Sequence, residues 1–302
     1  MSLQDAFLRF HDTIRIDYDT NAGLRQKRER ILKRLKGFPA PFRTFHQGSY
    51  ILGTGVRPIA GEYDLDVGLA FQLDHEEFDP VEVKKWIFEI FHGHTRDVRI
   101  RRHCITVFYA PFERNPPFHV DFAVYAEDAD QNLHLAVGKA NSREDLREWR
   151  RIEARELVEL LKNHLEGEER AQFRRVIRYL KRWKEVNFEN TGKSAPTGIA
   201  LSLAAMQFLE PSEDDDVGAL RSVVEGALGD FRRSFAHGFA RRLILPLPVE
   251  PGADVLERMS GAQMEAFERK LQQLADSLEA AARSGPTTRT RILRGLFGSD
   301  FK

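Results

Sequence analysis

HQGSYILGTGVRPIAGEYDLD, residues 46–66, sets a Gly-Ser pair and a glycine-spaced turn ahead of two aspartates that flank one leucine at the head of an apolar run. Side chains alternate along a strand, so Asp64 and Asp66 share one face while Leu65 and Val67 enter the opposite layer. Two carboxylates on one face suit hard divalent cations such as Mg²⁺, which take oxygen ligands and need neither Cys nor His. A pair of such ions about 3.5–4 Å apart activates an attacking hydroxyl on one side and neutralises a leaving pyrophosphate on the other. Gly48 and Ser49 supply the complementary part. Uncovered backbone N–H groups beside a hydroxyl suit a triphosphate, and a helix starting there would add its positive end.

An Asp-x-Asp pair alone also occurs on ordinary surface loops, so a third acid from a neighbouring strand is required. Residues 118–125, FHVDFAVY, supply it: Asp121 sits in a β-rich run where burying an unpaired carboxylate is costly unless a metal offsets the cost.

With this triad assembled, the chain resembles the CD-NTases, bacterial relatives of cyclic GMP-AMP synthase and oligoadenylate synthetase in the polymerase-β-like nucleotidyltransferase superfamily. The resemblance covers nearly the whole chain and rests on GSY at 48–50, EYDLDVGLAF at 62–71, HVDFAVYA at 119–126, RYLKRWKEVNF at 178–188, APTGIALSLAA at 195–205 and LRGLFGSDF at 293–301. It implies that Asp64, Asp66 and Asp121 are the catalytic carboxylates and bind Mg²⁺, with Mn²⁺ as a substitute, and that Gly48 and Ser49 contact the donor triphosphate. Lys181, in the family's Lys-x-Trp position, would hold donor phosphates together with a hydroxyl from the next helix start. Relatives tend to carry Ser there. Here Thr197 is the first choice and Ser194 the second, and either also serves as an ordinary N-cap.

The implied activity is the joining of NTPs, ATP or GTP among them, into a cyclic di- or trinucleotide with release of pyrophosphate, as a second messenger in anti-phage (CBASS) defence. A downstream effector would be reached through that product, with CBASS accessory proteins as further partners. Two other readings stay open: a nucleotidyltransferase acting on a tRNA or protein acceptor, and a non-catalytic nucleotide-sensing scaffold.

Composition is compatible with this reading. The chain has 302 residues, 42% hydrophobic and 30% charged, enough for a large core and two lobes. Its 46 basic and 46 acidic residues cancel, which argues against constitutive nucleic acid binding. The single Cys104 excludes a disulfide framework and favours a reduced, cytoplasmic setting; it reads as a core thiol. No signal sequence or membrane-length apolar stretch is evident.

The expected fold is α+β: a polymerase-β-like nucleotidyltransferase core with a mixed sheet over residues 1–150, a helical lobe over 151–302, an N-terminal helix packed across both, and the active-site cleft between them. The pattern predicts one helix over 4–36, stopped by Gly37, with Leu24, Ile31, Leu32 and Leu35 on a common stripe. Strands follow at about 64–73, 97–109 and 118–126, and a helix opens at Asp79-Pro80 and ends at Gly93. Further helices are expected at 152–165, 170–188, 197–210, 216–230 and 261–283. Arg174, Arg178 and Lys181 fall on one helix face, where a solvated basic surface competes with a functional one. The histidines at 92, 94 and 103 lack cysteine partners at zinc-ligand spacing. The acidic runs at 74–79 and 212–216 read as solvated turns, and Gly53-Thr54-Gly55 as a flexible turn rather than a dinucleotide fingerprint.

Overall fold

The computed structural model describes residues 2–16, 18–59, 62–95, 97–110, 117–188, 195–236 and 241–302. Helix α1 (Leu3–Ile14) opens with a capping box between Ser2 and Asp5 and buries Ala6, Phe7, Phe10 and Ile14 on one stripe. The single helix expected over 4–36 is broken: α2 spans Tyr18–Leu32, followed by a 3₁₀ turn at Lys33–Leu35. The break has a partner. Arg15 turns extended and forms a β-bridge with Val56, and the Ile14 carbonyl, released from the helix ladder, accepts from the Arg57 N–H at 2.7 Å.

Seven strands form one mixed sheet: β1 (Phe42–His46), β2 (Tyr63–Phe71), β3 (Asp97–Ile100), β4 (Ile105–Tyr109), β5 (Phe118–Glu127), β6 (Leu133–Val137) and β7 (Glu148–Arg151). Their order is β1-β2-β5-β4-β3, with β6 joining β5 beyond β4 and pairing β7. Only β2 and β5 run parallel among these pairs. The strand expected over 97–109 is a hairpin instead, because Arg101 and Cys104 close a turn through a 2.8 Å backbone hydrogen bond. Helix α3 (Gly48–Leu52) follows β1, and α4 (Pro80–His92) begins where the Asp79 carboxylate accepts from the Val81 and Glu82 N–H groups. The remainder is helical: α5 (Ala154–Asn163), α6 (Gly167–Asn187), α7 (Gly198–Phe208), α8 (Asp216–Ala236), α9 (Gly261–Arg283) and α10 (Pro286–Phe297).

Two main apolar clusters follow this division. Leu65, Val67, Leu69, Val120, Phe122 and Val124 of β2 and β5 pack on Val83, Ile87 and Phe91 of α4. Phe7 and Phe10 of α1 join Tyr179 and Trp183 of α6, Leu274 of α9 and Phe297 of α10 in the other. Each fully buried side chain of this size contributes about 1.5–3 kcal/mol. Thus α1, first in sequence, packs on the helices that come last.

One sequence expectation is overturned inside the helical cluster. Asp216, expected in a solvated turn, is fully buried. It accepts from Arg175 Nε (2.8 Å) and Nη2 (2.9 Å), from the Tyr179 hydroxyl (2.8 Å) and from Gln172 Nε2 (3.2 Å), while its own N–H donates to Gln4 Oε1 (2.8 Å). Burial pushes this carboxyl up, but the Arg175 and Tyr179 hydrogen bonds overcome that and hold it below its usual value. A depressed folded-state value stabilises the protein above the unfolded value near 3.8 and is lost as pH falls through and below it. Asp216→Asn is therefore expected to destabilise by about 3 kcal/mol at neutral pH, since it leaves the largely buried Arg175 facing a neutral amide in place of its carboxylate partner. Denaturant titration at pH 7 and pH 3.5 checks this: the deficit should shrink at the lower pH.

Candidate active site

Register creates the acidic face. Asp66 pairs with Asp121 across the parallel β2–β5 ladder, and Asp64 with His119, so alternation points Asp64, Asp66 and Asp121 to the same side of adjacent strands. Leu65, Val67, Val120 and Phe122 take the other side, into the sheet cluster. Asp64 is exposed; Asp66 and Asp121 are half-buried. Three like charges in this space repel. The Asp66 carboxyl is pushed up to about 8 by burial and then by the charges of Asp64 and Asp121, against a counter-pull from Lys181.

Asp121 Oδ1 is buried and has no hydrogen-bond partner among the described residues, while Oδ2 lies 3.9 Å from His119 Nε2. His119 is turned instead to Glu62, at 3.1 Å. An orphaned carboxylate oxygen amid like charge is costly unless a cation completes it. The donor set therefore fits a hard divalent ion, although among the described residues no three acidic, His or Cys side chains are already gathered around one ion position. Cys104 lies near this face, its thiol 3.7 Å from Thr106 Oγ1; burial pushes it up to about 12, so it is protonated and unsuited to bind metal.

β1 delivers the glycine-serine turn to this face. It pairs antiparallel with β2 and ends with His46 opposite Val67, which sets the following residues against Asp66. Gly48 has φ +71, and a Cβ there would fall inside the Asp66 carboxylate, so two independent constraints demand glycine. Ser49 follows in α3, and its carbonyl accepts from the Thr54 N–H at 2.9 Å.

From the helical side, α6 meets the turn that follows α3, at Gly53–Gly55. Lys181 Nζ donates to the Thr54 carbonyl (3.2 Å) and Thr54 Oγ1 (3.3 Å). Arg178 donates from Nε to the Gly55 carbonyl (3.2 Å) and from Nη2 to the Gly53 carbonyl, and Arg174 lies against Gly53. The flexible turn expected at Gly53-Thr54-Gly55 is thus pinned, and the basic face of α6 is spent on pinning it rather than on water. Burial pulls the Lys181 ammonium down to about 8, with the nearby Asp64 and Asp66 resisting.

A cavity of about 360 Å³ opens between β2, α3, α6 and α7. Gly48, Ser49, Asp64, Asp66 and Lys181 line it, together with Lys184, Glu185 and Ser202, which the sequence reading did not single out. Helical spacing carried the signal: Lys184 and Glu185 lie three and four residues beyond Lys181 on one face, and Ser202 lies four beyond Gly198. Thr197 is the N-cap of α7, its Oγ1 accepting from the Ala200 N–H at 3.2 Å, and is not among the lining residues, which begin in α7 with Gly198. Ser194 lies outside the described residues.

Residues 42–125 match the family model for the nucleotidyltransferase domain of DncV-like cyclic GMP-AMP synthases. A cyclic GMP-AMP synthase of Escherichia albertii is 23% identical over 192 residues, 60% of this chain and 40% of the relative, so the chain aligns with about two fifths of that protein. Among solved structures, the Bradyrhizobium diazoefficiens CD-NTase CdnG in complex with GTP superposes with a TM-score of 0.82 at 16% identity, covering 99% of this chain and 96% of that one. CdnC of E. coli MS115-1, in complex with HORMA-deltaN, gives 0.73 at 16% identity, with 99% and 98% covered. Vibrio cholerae DncV gives 0.67 at 16% identity, with 86% and 70% covered. At these identities the structural likeness speaks for the fold, and the family match falls on the segment that holds Gly48, Ser49, Asp64, Asp66 and Asp121. Together they show that residues 42–125 are similar to a DncV-like nucleotidyltransferase domain and that the whole chain has the fold of the CD-NTase structures.

Proposed function

We propose that this chain is a Mg²⁺-dependent nucleotidyltransferase that joins NTPs into a cyclic di- or trinucleotide, releasing pyrophosphate, as a signal in anti-phage defence. The observation that carries the reading is the convergence of Asp64, Asp66 and Asp121, whose buried Oδ1 has no hydrogen-bond partner among the described residues, on one sheet face beside a turn in which only glycine fits. Asp64, Asp66 and Asp121 would hold Mg²⁺, with Mn²⁺ as a substitute, and the ion when bound would supply positive charge to favour loss of the acceptor hydroxyl's proton and to stabilise the leaving pyrophosphate. The chain's own residues do the holding. Gly48 and Ser49 present N–H and hydroxyl donors to the donor triphosphate, and Lys181 adds charge from the facing lobe. Thr197 spends a lone pair on its cap and keeps an O–H to donate; Ser202, one turn into α7, offers a second hydroxyl from the cavity wall. The acceptor ribose oxygen bonds to the α-phosphorus, the bond from that phosphorus to the bridging oxygen breaks, and pyrophosphate leaves in line.

The division into a catalytic lobe over 1–150 and a helical lobe over 151–302 belongs to the same reading and is supported by the two apolar clusters. The structures of CdnG with GTP and of CdnC with ATP support GTP and ATP as substrates, and the complex of CdnC with HORMA-deltaN supports accessory proteins as partners. No helix among the described residues is long and apolar enough to cross a membrane.

Incubation with Mg²⁺ and an equal mixture of the four NTPs, followed by phosphatase treatment and mass spectrometry, tests the activity. A phosphatase-resistant cyclic product without added acceptor is expected. Consumption only when tRNA or protein is supplied would favour transfer to a macromolecule, and no consumption under any condition would favour a scaffold. Asp64→Asn, Asp66→Asn and Asp121→Asn should each lower turnover by roughly 10³-fold or more, and Gly48→Ala should do as much damage by displacing Asp66.

Binding of the metal has a readout apart from turnover. In chelator-treated protein, saturating Mg²⁺ should raise the melting temperature by about 2–4 °C by relieving repulsion among the three carboxylates. Asp66→Asn should start higher than the parent in metal-free buffer and gain little from Mg²⁺. An equal Mg²⁺ shift in parent and variant would show that the ion binds elsewhere.

A further inference from the structure

The terminal stretch LRGLFGSDF, residues 293–301, is tied to the wall of the cavity. Phe301 is buried among Phe7, Phe10 and Phe297, and its carbonyl accepts from Arg294 Nε at 2.9 Å. At the end of α6, Asn187 Nδ2 donates to the Leu296 carbonyl at 2.9 Å. Between these anchors lies Arg182, whose side chain is only 1% exposed. Its guanidinium donates to Asp300 Oδ2 and to the Arg57 carbonyl, and its Nε lies 3.1 Å from Glu185 Oε2. One planar fork thus joins a residue three beyond α10, the chain leaving the Gly53–Gly55 turn, and a carboxylate of the cavity lining.

We infer that Arg182 is a positioning residue for the nucleotide cavity and that the Asp300–Phe301 segment is the latch that fixes it. The inference rests on the function proposed above and extends it to parts of the chain remote from the carboxylates. Arg182 is absent from the cavity lining and acts through what it holds. The stretch from Gly53 to Arg57, which follows the Gly48–Leu52 helix and carries Val56 of the cavity lining, is secured from α1 by the Ile14–Arg57 hydrogen bond, from α6 by Lys181 and Arg178, and from residue 300 through Arg182. Loss of the Asp300 carboxylate leaves a buried guanidinium under-satisfied. It then recovers charge by drawing on Glu185, which moves that carboxylate and loosens its grip on Arg57.

Asp300 is 40% exposed, so Asp300→Asn should fold, and Asp300→Glu keeps the charge. With Mg²⁺ and ATP or GTP, the Asn variant is expected to raise KM about fivefold with kcat within about twofold of the parent, and the Glu variant to recover most of the loss. Hydrogen exchange without nucleotide should quicken at residues 53–57 in the Asn variant. That readout separates the two ideas: should the parent turn over no nucleotide, the function fails while exchange still decides the latch. An unchanged KM in an active Asn variant, or unchanged exchange at 53–57, would overturn the inference, even if its melting temperature fell.

Discussion

Parallel pairing of β2 with β5, in the register that sets Asp66 beside Asp121, is the constraint on which the rest depends. A one-residue slip would turn the carboxylates into the apolar layer and Leu65 and Val67 out of it, so burial of the sheet's inner face specifies the acidic outer one. Parallel strands need a long crossover, and here the chain between β2 and β5 is used to build α4 and the β3–β4 hairpin. The inner face packs on α4 and the outer face is left for chemistry. Stability and function thus divide the same two strands by alternate residues.

The second constraint is close approach. Gly48 brings backbone against the Asp66 carboxylate, and the α6 cations close over the turn that follows α3. The helix is amphipathic in an unusual sense: Val176, Ile177, Leu180 and Trp183 bind it to the helical core, while Arg178, Lys181 and Arg182 spend their donors on backbone carbonyls of residues 53–57. Cations held in this way fix geometry, although burial still weighs against the charge of Lys181 and Arg178. The glycine turn is thereby tied both to the sheet and to α6.

Local signals carried much of this into the sequence. Alternation around Asp64 and Asp66, the β-rich run around Asp121, and caps at Asp79 and Thr197 all reflect short-range rules that the structure obeys. What stayed hidden depends on long-range pairing. The break at Arg15 exists because Val56 bonds there; the split of β3 from β4 is a turn with no Gly or Pro to announce it; and the polar β7, EWRR, is a strand through its pairing with β6. Asp216 looked solvated because its partners Arg175 and Tyr179 lie some forty residues earlier. Glu185 and Ser202 were reachable by helical spacing from Lys181 and Gly198, yet only the meeting of α6 with α7 gives them a cavity to face.

The central claim is that three carboxylates on two strands, with the turn at Gly48 and Ser49, form one nucleotide site. A crystal structure of the protein soaked with Mg²⁺ and a non-hydrolysable NTP tests it most directly. The account predicts metal density bounded by Asp64, Asp66 and Asp121, with the triphosphate against Ser49 and Lys181. Nucleotide bound elsewhere, or a triphosphate held without metal at these carboxylates, would contradict it.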